Sequence, residues 1–179
     1  MRRPVARTLL LAGVAAVLIA AAGASGAQGA EQLTCAGTQT NTYTPGLRLL
    51  QPRAVTAGVD IALGPCLSAT DPTVTSGSVS GIFPASLSCT ALLGQSFPTQ
   101  LTSTFTWSNG HTSTFTYRAD TEYVAGTLVV TSVGSIVAGE FTGASATTIA
   151  VTTALPTACL TSAGLTEQQG PYTLVFAGV

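Results

Sequence analysis

Lysine is absent from this chain, and charge of either sign is scarce. Only 7% of the 179 residues are charged, six arginines against seven carboxylates. So few cations cannot usefully displace the counterions of a phosphate backbone, and nucleic acid is not an expected partner. Histidine and tryptophan occur once each, as His111 and Trp107, which leaves one ordinary candidate for a general base near neutral pH. The spacings that hold zinc (Cys-x-x-Cys), phosphate (Gly-x-Gly-x-x-Gly and Walker) or calcium (Asp-x-Asp-x-Asp-Gly) are missing, so no cofactor is expected. A Gly-x-Ser-x-Gly nucleophile elbow is missing too.

What fills the chain instead is Thr, Ser, Gly and Val in short alternating runs, with 46% of residues hydrophobic. The first 30 residues stand apart. Arg2, Arg3 and Arg7 precede an apolar run from Thr8 to Ala22 and a small-residue stretch from Gly23 to Ala30. That is the pattern of an export signal, with cleavage expected after Ala27 or Ala30. A retained anchor is the competing reading, but the apolar run is shorter than the roughly 20 residues that span a bilayer. Residues 31–179 then form one secreted domain, with no stable membrane insertion after cleavage. Beyond residue 30 three arginines (Arg48, Arg53, Arg118) face seven carboxylates, for a net charge of −4.

Four cysteines, Cys35, Cys66, Cys89 and Cys159, form an even set in an exported chain and point to two disulfides. Three pairings are possible, and the one joining consecutive cysteines, Cys35–Cys66 and Cys89–Cys159, is favoured here.

The clearest local signal is Leu101 to Arg118. Leu101, Ser103, Phe105 and Trp107 alternate with hydroxyl residues, and His111, Ser113, Phe115 and Tyr117 do the same after Asn109-Gly110. Period-two alternation on both arms is a β-hairpin. A two-residue turn would place the two aromatic sets on opposite faces. A three-residue Ser108-Asn109-Gly110 loop, with Gly110 in the left-handed position, pairs Phe105 with Ser113 and gathers all the aromatics on one face. The second register is expected, because it gives one buried face.

Other strand-like runs are Thr38–Tyr43, Arg53–Leu63, Thr73–Phe83, Ser86–Leu92, Thr127–Val137, Phe141–Thr153 and Tyr172–Phe176, with a helical turn only within Leu160–Gln169. Thr73–Phe83, rich in Gly and Ser, reads as an edge. Many short strands imply a sandwich or barrel. The fold expected is an antiparallel β-sandwich, immunoglobulin-like in general architecture and stapled by two disulfides.

The segments Thr34-Cys35-Ala36-Gly37, Tyr43-Thr44-Pro45-Gly46-Leu47, Gly64-Pro65-Cys66, Ser88-Cys89, Thr106 to Thr114, Ala138 to Gly143 and Ala158-Cys159 occur in a characteristic order. In this order they resemble a family of small exported actinobacterial proteins. The resemblance implies an all-β secreted domain and carries no activity or catalytic residues. Composition is also similar to the neocarzinostatin-like carriers of apolar chromophores, whose bridges close shorter loops.

Candidate chemistry is thin. His111 could join a hydroxyl and Asp120 in a triad; the simpler expectation is that it flanks the turn and covers Trp107. Asp120 and Glu122 would share a strand face, as paired carboxylates of a glycosidase must, but they sit where charges mark a solvated strand end. Asp60, Asp71 and Glu140 are scattered near turns. Tyr43 and Tyr123 lie beside turns and are expected to be exposed ligand contacts, while Phe105, Trp107, Phe115 and Tyr117 fill the core. The function expected is a non-catalytic extracellular or envelope-associated interaction module, with a cell-wall or other extracellular polymer as a partner to test. A carbohydrate-binding module and a carrier of a small hydrophobic ligand are the alternatives.

Overall fold

The computed structural model describes residues 31–93, 99–153 and 157–178; the expected export signal lies outside them. Eight strands run in chain order: β1 (Glu31–Leu47), β2 (Arg53–Ser68), β3 (Gly77–Leu87), β4 (Leu101–Trp107), β5 (Thr112–Val124), β6 (Thr127–Gly139), β7 (Ser145–Thr153) and β8 (Leu165–Ala177). Each pairs antiparallel with the next, and β8 returns to β1, so the sheet closes into a barrel. The expected sandwich, immunoglobulin-like or otherwise, is therefore incorrect. A sandwich leaves edge strands on two sheets, whereas β1 here has two partners along most of its length, Leu33 opposite both Ser68 and Phe176 and Asn41 opposite both Val59 and Gln168. Inward and outward residues alternate identically in both architectures, so alternation alone could not separate them.

Three segments also differ from expectation. β1 extends far beyond Thr38–Tyr43, with a bulge between Cys35 and Gly37 that lets it bend around the barrel. Ser86–Leu92 is not a strand of its own: β3 ends at Leu87 and a 3₁₀ turn occupies Thr90–Leu92. The helical turn lies at Thr157–Leu160, and residues 165–169 begin β8. Among the described residues no helix is long and apolar enough to cross a membrane.

The central hairpin has the three-residue loop. Phe105 faces Ser113 and Leu101 faces Tyr117, the Trp107 amide donates to the His111 carbonyl at 2.9 Å, and Gly110 takes φ 86°. Its aromatics consequently point inward. Phe105 stacks on Trp107 at 5.3 Å, and Phe176 meets the Trp107 ring edge-on at 5.9 Å. Gly77 makes room for that ring, since a Cβ there would lie 2.5 Å from it. Leu33, Ile136, Leu174 and the Cys35–Cys66 bridge complete this end. A second apolar cluster of Tyr43, Leu47, Val55, Ala57 and Leu165 fills the other end around Cys89–Cys159. The favoured pairing of the cysteines is the one present.

Each bridge pins one end. Their sequence separations of 31 and 70 residues imply about 4 kcal/mol of stabilisation apiece by restriction of the unfolded chain. Cys35→Ala/Cys66→Ala and Cys89→Ala/Cys159→Ala variants are each expected to lose about that much in urea unfolding under non-reducing conditions. A loss below about 1 kcal/mol for either would show that its bridge does not constrain the unfolded chain as described.

Candidate functional site

Two regions gather polar side chains, one at a barrel end and one inside. At the end, three loops meet over Trp107. Asp71 lies between β2 and β3, Asn109 and His111 in the β4–β5 turn, and Glu140 between β6 and β7. Asn109 Nδ2 donates to Asp71 Oδ2 at 3.1 Å and to Glu140 Oε2 at 3.1 Å, while the His111 amide donates to Asn109 Oδ1 at 3.0 Å. One side-chain amide thus separates two carboxylates and turns its oxygen to the hairpin. Thr73 donates to Asp71 Oδ1 through both its amide, at 2.9 Å, and its hydroxyl, at 2.5 Å. These Thr73 bonds first, then those involving Glu140 and Asn109, hold the Asp71 carboxyl down at about 2.

His111 is 69% exposed, and its Nδ1 stands 3.6 Å from Glu140 Oε2. The carboxylate it meets is therefore not Asp120, which faces outward from β5 with Glu122. The two serines of this network are engaged elsewhere. Ser108 Oγ donates to the Thr73 carbonyl, and Ser113 Oγ donates to the Glu140 carbonyl at 2.6 Å while accepting from Trp107 Nε1 at 2.8 Å. Phe141, in the left-handed region at φ 61°, lies edge-on to Trp107 at 5.9 Å and closes that end. The arrangement ties three loops to a buried tryptophan, and its chemistry is that of a latch.

The interior differs. At mid-height the inward-facing residues mix apolar side chains, Val59 and Ile61 on β2, Val79 on β3 and Val130 on β6, with small or polar ones: Gln39 and Asn41 on β1, Ser103 on β4, Tyr117, Ala119 and Thr121 on β5, Ser132 on β6, Thr148 on β7 and Gln168 on β8, while Tyr172 on β8 belongs to the cluster around Trp107. Gln39 Nε2 donates to Asn41 Oδ1 at 2.9 Å, and Asn41 lies opposite Gln168 across the β1–β8 pair. Ser103 and Thr148 act on the Tyr117 and Tyr172 phenols respectively, each opposing the rise that burial causes. Burial pushes the Tyr172 and Tyr43 phenols up to about 12 and raises that of Tyr117, so all three are neutral at physiological pH.

Among the described residues the barrel wall is least paired between β3 and β4: these strands pair only at Gly77–Trp107 and Ser78–Thr106, whereas β2 and β3 pair from Arg53–Leu87 through to Leu63–Gly77. Past Ser78 the inward residues of β3 are unevenly covered: Val79, Ala85 and Leu87 pack on the two apolar clusters, and Gly81 and Phe83 between them are exposed. Phe83 faces Ala57 across the β2–β3 pair, on the inner side, yet is 46% exposed. Gly81 faces inward opposite Val59, and a Cβ there would meet no described atom within 4 Å. Val79, Leu101, Ser103 and Tyr117 around this seam are half-buried. A second concavity, an open dish of about 410 Å³ lined by Ala36, Gly37, Thr38, Ala62, Leu63 and Gly64, carries no charged group.

Tyr43 is not exposed as expected: it is 7% exposed, inside the lower cluster. Tyr123, at 57% exposure, lies outside that cluster, so the two do not form a common aromatic platform. Sequence reasoning missed the Asp71–Glu140 proximity, which no local spacing encodes, and the interior belt. The belt had a signal: Gln39 and Asn41 occupy the inward phase between Cys35 and Tyr43, where a filled core would place apolar residues.

No family model, curated protein or solved structure matches the chain. Two disulfides belong to an oxidising, extracellular type of environment.

Ser113→Ala would leave the buried Trp107 Nε1 and the Glu140 carbonyl without their shared partner. It is expected to cost about 1–3 kcal/mol in unfolding followed by tryptophan fluorescence. No change would mean that the latch contributes nothing to stability. The pH dependence has two limbs. Asp71 is depressed, so its contribution is complete above the ordinary carboxylate range and is lost as pH falls toward about 2; Asp71→Asn should flatten that limb. Tyr43 and Tyr172 are raised, so stability is lost as pH climbs from about 10 through about 12. Urea midpoints across pH read both limbs.

Proposed function

We propose that this protein is an exported, non-catalytic binding protein that takes a small, largely apolar ligand into the barrel through the seam between β3 and β4. The observation that carries this reading is the solvent exposure of residues on the inner side of the wall, Phe83 above all. An inward-facing aromatic in a filled barrel would be buried. Eight-stranded barrels have an interior just wide enough to be filled by side chains or to hold one small ligand. Here large side chains occupy the two ends, and Gly81, Ser103, Ala119 and Ser132 lie between them. Concave sites of this kind combine apolar walls with a few placed polar groups, as Val59, Val79, Phe83 and Leu101 do with the amide and hydroxyl belt.

Of the alternatives weighed from sequence, the carrier gains most from this geometry. The aromatic platform suited to a polysaccharide loses Tyr43 to the core. The weakly charged, threonine-rich exterior suits a released extracellular protein.

The test is binding of the uncharged fluorophore N-phenylnaphthylamine. Saturable enhancement of its emission is expected, weakened at least roughly tenfold by Gly81→Phe, which fills the lumen from a position with space for the ring. Unchanged binding by a Gly81→Phe protein of normal melting temperature would place the dye elsewhere and overturn the reading.

A further inference from the structure

Resting on the lumen as the ligand site, we propose that the interior selects an electrically neutral ligand that carries one hydrogen-bonding group, such as a hydroxyl or an amide. That group is set against the Gln39–Asn41 amide pair. The apolar body of the ligand lies toward Val59, Val79, Phe83 and Leu101 at the seam.

Electrostatics disfavour an ion in the interior. Among the described residues, no side chain facing inward between the two apolar clusters is ionised near neutral pH. Asp60, Arg118, Asp120 and Glu122, the charged residues at mid-strand height, all face outward. The one cation in inward phase, Arg53, starts β2 outside Val55 and so lies beyond the lower cluster; its Nε is buried without a partner. An anion or cation entering the interior would give up its hydration and find no counter-charge among the described residues, which disfavours it against a neutral ligand of the same shape.

Asn41 and Gln168 face each other across β1 and β8, and Gln39 is joined to Asn41 by its hydrogen bond. A primary amide offers two donors and a carbonyl with two lone pairs, so one bond between Gln39 and Asn41 leaves each with further capacity. Amides both donate and accept, and can serve a hydroxyl or a carbonyl without either partner being charged. Both Gln39 and Asn41 are half-buried and not sealed in the core, so a ligand can reach them. A purely apolar ligand would take up space beside this pair without offering it a bond, and a site built for hydrogen bonding discriminates against such a ligand.

Four probes with one apolar body decide the matter: naphthalene, naphthalenemethanol, naphthoate and naphthylmethylammonium, measured on the full chain by equilibrium dialysis. Naphthalenemethanol is expected to bind tightest, with naphthoate and the ammonium at least roughly tenfold weaker and naphthalene several-fold weaker. Asn41→Leu should remove the advantage of the alcohol over naphthalene while leaving naphthalene itself bound. Gln39→Leu, one turn of the pleat away, repeats the test if the first variant folds poorly. Equal or tighter binding of either ion, or an alcohol advantage that survives both variants, overturns the selectivity while the lumen site stands. Failure of all four probes, together with N-phenylnaphthylamine, overturns the lumen site itself.

Discussion

Closure of the sheet by pairing of β1 with β8 is the constraint on which the rest of this structure depends. Once the register sets Leu33 opposite Phe176 and Asn41 opposite Gln168, inside and outside are fixed for every strand between them. An open sheet would let β1 present Gln39 and Asn41 to water, where amides are ordinary. In the closed barrel the same residues become part of an interior, and their polarity acquires meaning. Closure also explains why an antiparallel sheet with so little charge can tolerate long strands. Backbone groups that an edge would expose to association are paired nearly all the way round.

The interior divides because side-chain volume is unevenly distributed along the strands. Phe105, Trp107, Phe115 and Phe176 converge at one end, and Tyr43, Leu47 and Leu165 with a disulfide at the other. Between them the inward positions carry more Gly, Ala, Ser and Thr, with the amides Gln39, Asn41 and Gln168 and a few branched apolar residues such as Val59 and Val79. An eight-stranded barrel has an interior just wide enough to be filled by side chains or to hold one small ligand, and the smaller residues at mid-height are what favours the second outcome. Packing is thus concentrated at the two ends, and the proposed ligand site at mid-height draws on residues that contribute less to it.

How much of this was legible in the sequence depended on whether the controlling contact was local. The hairpin register could be read, because the choice between a two- and a three-residue loop decides where Phe105 and Phe115 point. The cysteine pairing could be favoured, but the register that brings Cys35 opposite Cys66 is set by β1 and β2 along their whole length. The barrel itself was not legible: its defining pair joins residues 33 and 176, and period-two alternation is the same in a sandwich. Tyr43 was misplaced because Pro45-Gly46 looks like a turn, although the strand continues through it to Leu47 and carries the ring inside. Asp71 and Glu140, brought to either side of Asn109, are nearly seventy positions apart, and only the folded loops put them together.

The seam between β3 and β4 would be a weakness in an ordinary barrel. β3 is held along its other edge by β2 from Arg53 to Leu63, and just past its end Cys89 is bonded to Cys159 near the start of β8. The Cys89 amide also donates to the Arg48 carbonyl at 2.8 Å, which anchors the same point to the β1–β2 connection. β4 in turn is held by β5 at every position from Leu101 to Thr106. At the other end of the seam Ser108 Oγ bonds Thr73 and Thr75, which fastens the β4–β5 turn to the approach to β3. The two strands are therefore fixed independently of each other, and the wall between them can remain open without either strand peeling away. An aperture whose two sides are anchored elsewhere is what a barrel needs if its interior is to exchange a ligand while the fold stays intact.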